Sequence, residues 1–148
     1  MTEAIDTGRP AVPWHFWLVT LIALLWNGFG GYDYTMSHLQ GETYYRQMGM
    51  SDAVIAFMET YPTWMHAVWA IGVWGSVLGS ILLLSRSRWA LHAFALSILG
   101  AIGNLLYTAM TPGASAAMGG LTMPLVIIAA CLFFIWYSWT MTKRGVLR

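Results

Sequence analysis

Five polar side chains in a mostly apolar chain have the makings of a site: Asn27, Asp33, Glu59, His66 and Asn104. Two of them lie in the run Trp26-Asn27-Gly28-Phe29-Gly30-Gly31-Tyr32-Asp33-Tyr34, which begins inside an apolar stretch and ends at an acid. Lipid penalises an amide and a carboxylate at that depth, so such groups are kept for a structural or functional reason. Helical spacing sets Trp26, Gly30 and Asp33 on one stripe and Asn27, Gly31 and Tyr34 on the next. Asp33, Glu59 and His66 are expected to gather at one interface. A carboxylate there favours a charged imidazole, and the cluster would bind a cation or pass protons. The plainer alternative is a set of ion pairs that fixes the neighbouring segment. Asn27 and Asn104 are expected at similar depth, roughly 20 Å from the opposite interface. They would either glue two helices together or line a polar site, and a direct or water-bridged pair is the testable form of that expectation.

Metal and catalytic chemistry find less support. Met48-Gly49-Met50 has a spacing suited to Cu(I), with His38 and His66 as co-ligands. Methionine also packs well as a flexible apolar side chain, and no metal or cofactor is expected. His15 with His92 is the one histidine pair placed to ligate haem. The chain has no G-x-S-x-G, Walker loop, H-E-x-x-H or C-x-x-C-H, so a non-enzymatic role is expected. Cys131, the single cysteine, excludes an intrachain disulfide and a cysteine-based zinc site.

The elements that must hold these groups are membrane helices. The 148 residues are 58% hydrophobic and 9% charged, against about 25% charged in an ordinary soluble domain. Lipid is the natural solvent for such a chain, and no basic cluster with interleaved aromatics suggests nucleic-acid binding. Four spans are expected, over about 14–33, 64–85, 89–110 and 121–141. A lead over 1–13 with two prolines is expected to be flexible, and the first apolar run is expected to be retained rather than cleaved. Between the first two spans, Ser51 is a helix cap with Asp52 behind it. It opens a short amphipathic helix through Val54, Ile55, Phe57 and Met58 that should stop before Pro62. Arg86, Arg88, Lys143, Arg144 and Arg148 place both termini in the cytoplasm by the positive-inside rule, with residues 34–61 facing outward and 143–148 a basic tail. Short connections favour an all-α, up-down-up-down four-helix bundle. Small residues prepare it for close packing: Gly72, Ser76, Gly79 and Ser80 on the second span are expected to meet Ser97 and Gly100 on the third.

A longer pattern runs through these elements. Trp26-Asn27-x-x-Gly30-x-x-Asp33-Tyr34-x-Met36 is followed by Tyr44-Tyr45, by Ser51-Asp52-x-x-Ile55-x-Phe57, and by Pro62-x-Trp64. Trp69-Ala70-x-Gly72-Val73-Trp74-Gly75 and Gly79-Ser80-x-Leu82-Leu83-Leu84-x-Arg86-x-Arg88-Trp89-Ala90 complete it. Together these resemble a group of small bacterial inner-membrane proteins with four helices and no established activity, some loosely labelled sugar transporters. The resemblance covers residues 14 to 110 and implies four helices and an inner-membrane location. Where that group opens its short outer helix with a Thr-Pro-Glu-like motif, this chain has Met50-Ser51-Asp52, keeping the cap without the proline. The sugar label is not carried over, because one chain without internal repeats gives no obvious alternating-access machine, although a homo-oligomer would. The expected role is that of an accessory or assembly protein with a membrane partner. The alternative is a small-solute or proton/cation transporter acting as a homo-oligomer, and a third reading is a metal-binding protein or enzyme.

Overall fold

The computed structural model describes residues 10–148, all of whose regular structure is helical. Residues 1–9, which include most of the expected flexible lead, lie outside the described residues. Seven helices follow one another: α1 (Trp14–Gln40), α2 (Glu42–Gln47), α3 (Asp52–Glu59), α4 (Thr63–Leu84), α5 (Ala90–Met110), α6 (Ala114–Ala117) and α7 (Thr122–Lys143). Among the described residues, α4, α5 and α7 are long and apolar enough to cross a membrane. The protein is an all-α, multi-pass membrane protein. At 27 residues α1 is the longest helix. The glycines, Asn27, Asp33, Thr35, Ser37 and His38 of its second half dilute its apolar character, and it is not among those three.

Helix boundaries follow local chemistry. Pro13 and Pro62 stand in extended backbone immediately before α1 and α4, where a missing N–H costs nothing. Pro124 is tolerated in the first turn of α7 for the same reason. The first helix does not stop at Asp33. Nothing from Tyr34 to Gln40 breaks a helix, and α1 continues until Gly41 takes φ +53° and its N–H caps the Ser37 carbonyl. The following segment therefore holds two short helices, α2 and α3, instead of one. Ser51 caps α3, its hydroxyl accepting from the Val54 amide at 3.4 Å. That helix buries Ile55 and Phe57 and leaves Asp52, Ala53, Ala56 and Glu59 exposed.

The long helices pack in the order α1, α4, α5, α7. The α4–α5 contact is the closest, because glycines face backbone there. A Cβ on Gly100 would lie 2.7 Å from the Gly72 Cα and from the Val68 carbonyl, and one on Gly79 would lie 2.8 Å from the Phe94 ring. Ser97 donates to the Gly72 carbonyl across the same seam. Gly72, Gly75 and Gly79 thus turn to α5, while Ser80 turns the other way, toward α1.

Two ends of the bundle differ. At one, which we call the basic end, Phe16 and Ala23 of α1, Leu83 of α4, Phe94 of α5 and Phe134, Tyr137 and Met141 of α7 form one core. Phe94 stacks on Phe134 with centroids 5.2 Å apart. His15 reaches the Tyr137 hydroxyl at 2.7 Å, so α1 and α7 touch there. The residues after α7 fold back beneath this core. Val146 and Leu147 are buried, and the backbone of Arg148 exchanges 2.9 Å hydrogen bonds with Arg86 and Arg88 in the α4–α5 turn. At the other, capped end, α2, α3 and α6 lie over the long helices through clusters around Phe57, Tyr61 and Met65 and around Tyr44, Tyr45 and Ile55. Leu21, Leu25, Ile71, Leu78, Leu99 and Leu132 are exposed along the helix flanks, an apolar coat suited to lipid, and Trp14, Trp64, Trp89 and Trp139 are exposed near helix ends, as interfacial anchors are.

Candidate functional site

The capped half of the bundle is hollow. Beyond the basic-end core, α1 and α7 part, leaving a cavity of about 520 Å³ between them, a size typical of small-molecule sites. Trp26, Phe29, Gly30 and Asp33 of α1 make one wall, and Met123, Pro124, Ile127 and Cys131 of α7 the facing wall. The back is made by Trp69, Gly72, Val73 and Ser76 of α4 with Ser97, Gly100, Ala101 and Asn104 of α5. Tyr45, Met50, Val54 and Met58 cover it, together with Tyr61 and Met118. Toward the basic end it is closed by Phe94 and Phe134, which are 0% and 4% exposed. Phe29 and Met123 line the chamber and are yet 57% and 63% exposed, so it opens sideways between α1 and α7.

The two stripes of α1 divide the work. Trp26, Gly30 and Asp33 face the chamber. Asn27, Gly31 and Tyr34 face α4: a Cβ on Gly31 would lie 3.2 Å from Val77, and Tyr34 meets Trp69 edge-on at 5.0 Å. Asn27 does not pair with Asn104. Its amide donates to Ser80 Oγ at 2.8 Å, and that hydroxyl in turn donates within reach of the Ser76 and Ala23 carbonyls. The buried relay holds α1 to α4 while the edge of Asn27 lines the chamber. Asn104 instead faces the Tyr61 phenol.

Of the five polar residues singled out by type and spacing, Asn27, Asp33 and Asn104 line one chamber; Glu59 and His66 do not. Glu59 ends α3 and is exposed. His66 sits beside Tyr61 and beside His38, whose ring centroid is 5.1 Å away. No Asp33–Glu59–His66 cluster forms, because the cap spreads these groups over separate helices. Among the described residues no three His, Cys, Asp or Glu side chains converge. Met50 lines the chamber and Met48 is exposed, so the Met48-x-Met50 pair splits between chamber and solvent. His15 is occupied by Tyr137, and His92 lies against Trp89 at 4.9 Å.

Among the described residues, Asp33 is the only charged one in the chamber wall. Its Oδ1 accepts a 2.9 Å hydrogen bond from the Tyr44 hydroxyl, a contact between α1 and α2 that only the extension of α1 past Asp33 makes possible. Burial pushes the Tyr44 phenol up to about 12, and the bond to Asp33 adds to the shift. Burial also raises Tyr45, with the Asp33 and Glu59 charges pushing the same way and the neighbouring Ser37 hydroxyl opposing. Tyr61 is raised by burial and eased by Thr108 and Asn104. Asp33 therefore has two neutral phenols, Tyr44 and Tyr45, beside it. Sequence reasoning did not assign Tyr44, Tyr45 and Tyr61 to the site; the adjacent Tyr44-Tyr45 pair, two residues past Glu42, was the available signal.

Comparison with protein-family models, curated proteins and solved structures finds no match to this chain.

Proposed function

We propose that the protein is a non-enzymatic binding subunit of a bacterial inner membrane, an accessory to a larger membrane assembly, in which α1 is a fourth crossing helix and both termini are cytoplasmic. Its chamber holds a small amphiphilic molecule that enters sideways from the bilayer. The observation that carries this reading is a cavity of about 520 Å³ that is walled by apolar side chains, carries a few polar groups, opens between two lipid-facing helices and is closed at one end. The basic residues gathered at the closed end support the orientation.

The test uses two glycines of α1. A Cβ on Gly30 meets nothing within 4 Å and Gly30 lines the chamber; Gly28 is equally uncrowded but lies outside it. Gly30→Leu should fill the chamber and Gly28→Leu should not. Native mass spectrometry of gently extracted protein should show a small co-purifying mass in the wild type and in Gly28→Leu that is missing from Gly30→Leu. The same spectra show whether the chain travels with a larger complex. A bound mass indifferent to Gly30→Leu would remove the chamber reading.

A second reading, transport of a small solute or cation by an oligomer, is favoured by one observation: the single carboxylate in the wall. It requires α1 or α7 to move, since the aromatic core seals the basic half. Flux abolished by Asp33→Asn at unchanged expression would support it.

A further inference from the structure

The chamber is electrically one-sided. Among the described residues, Asp33 is the only charged one in its wall, and no basic one lines it. The capped end has a single arginine, Arg46, and that guanidinium is already engaged by Glu42 at 2.7 Å and by Asp52 at 3.0 Å. The other basic residues among the described ones, Arg86, Arg88, Lys143, Arg144 and Arg148, stand at the far end of the bundle. Among the described residues Asp33 thus has no Lys or Arg partner. Its one hydrogen bond, from Tyr44, falls on Oδ1, leaving Oδ2 for another donor. Because Tyr44 keeps its proton far into the alkaline range, it is a donor to Asp33 and not a rival anion.

Around this carboxylate the walls are π faces and thioethers. Trp26, Phe29, Tyr45, Tyr61 and Trp69 all line the chamber. A carboxylate among aromatic rings is the chemistry that holds an organic ammonium, by charge on one side and by ring quadrupoles on the others. A bare metal ion fits less well, since hard cations take six or more oxygen ligands and here one carboxylate stands in apolar surroundings. A neutral apolar molecule would leave Oδ2 without a partner in a half-buried position.

We infer that the chamber selects an organic cation, an amine or quaternary ammonium carrying an apolar body, with Asp33 as counter-ion and the surrounding aromatic rings as its cage. The inference rests on the chamber being a ligand site. The ammonium sits at the capped end against Asp33, and the apolar body lies along α7 toward Ile127. Asn104 and Ser37 stand nearby for any hydroxyl or carbonyl the ligand carries.

Benzyltrimethylammonium and its uncharged isostere neopentylbenzene separate the two claims, with binding to the purified full-length protein in a neutral detergent read from tryptophan fluorescence. The wild type should bind the cation about tenfold more tightly than the isostere. Asp33→Asn, which keeps an acceptor for Tyr44, should equalise the two, while Asp33→Glu should retain the preference and so exclude a folding defect as the cause. Gly30→Leu should lose both ligands. Equal binding of the two probes to the wild type would overturn the cation and leave the chamber standing. A preference unchanged in Asp33→Asn would also overturn it. Binding of neither probe would overturn the chamber reading and the cation with it.

Discussion

The two halves of this bundle are built from the same four long helices and solve opposite problems. In the basic half, aromatic rings and glycine seams leave no room: Phe94 stacks on Phe134, and Gly79 makes way for the Phe94 ring. The chain even folds its last residues back to cover the α4–α5 turn. In the capped half α1 and α7 separate, and the space between them is bounded by rings and thioethers instead of being filled by them. Among the described residues the charges divide in the same way, with five basic residues at the filled end and four acids against one arginine at the hollow one. Lipid gives helices little reason to associate, so the filled half must hold the bundle together by packing. The hollow half is then free to keep a cavity that close packing would otherwise erase.

The contrast can be broken with a single substitution placed in each half. Gly79→Leu drives a side chain into the Phe94 ring of the filled half and should cost about 3 kcal/mol or prevent folding. SDS-induced unfolding followed by far-UV circular dichroism measures it. Asn27→Ala removes the amide from the α1–α4 relay. Ser80 keeps its carbonyl acceptors, so a loss of only about 1 kcal/mol is expected in the same titration. Gly30→Leu, the same change of residue as at Gly79 but in the hollow half, should be neutral or should stabilise by up to about 1 kcal/mol, since the new side chain enters open space and the helix loses a glycine. A destabilisation by Gly30→Leu equal to that of Gly79→Leu would mean the two halves are packed alike. The last effect shows only at alkaline pH. The Tyr44 phenol titrates at about 12 in the fold and near its ordinary 10 when unfolded, so its contribution is complete below pH 10 and lost as pH climbs toward 12. Tyr44→Phe should flatten that part of the pH–stability curve.

Much of the frame was legible in the sequence, because apolar length and breakers act locally. Pro13 and Pro62 mark helix starts, and Ser51 caps α3 as its position suggests. The division of α1 into two stripes also follows from the helical repeat alone. Partners were less legible, since they depend on which face each helix turns to which neighbour. Gly72, Ser76, Gly79 and Ser80 read as a single face toward the third long helix, but Ser80 sits around the helix from the glycines and serves α1. The end of α1 was misread because Asp33 looks like an interface residue. Its carboxylate finds Tyr44 instead, and the helix runs on. The basic tail reads as solvated from its charges, yet Val146 and Leu147 between them are apolar enough to be drawn under the core. The chamber itself has no local signature. It exists because two helices that touch at His15 and Tyr137 diverge further along, and no window of sequence contains both.

The Asn27–Ser80 bond also carries information about time. The two residues are 53 positions apart in the chain. At ordinary rates of synthesis the ribosome makes Asn27 roughly 3–10 s before Ser80. During that interval α1, the least apolar of the long helices, waits with an open amide and without the neighbour it is shaped to meet. Its settled position must be acquired after α4 has been made, so the helix that comes first in translation is not the first to be fixed in place.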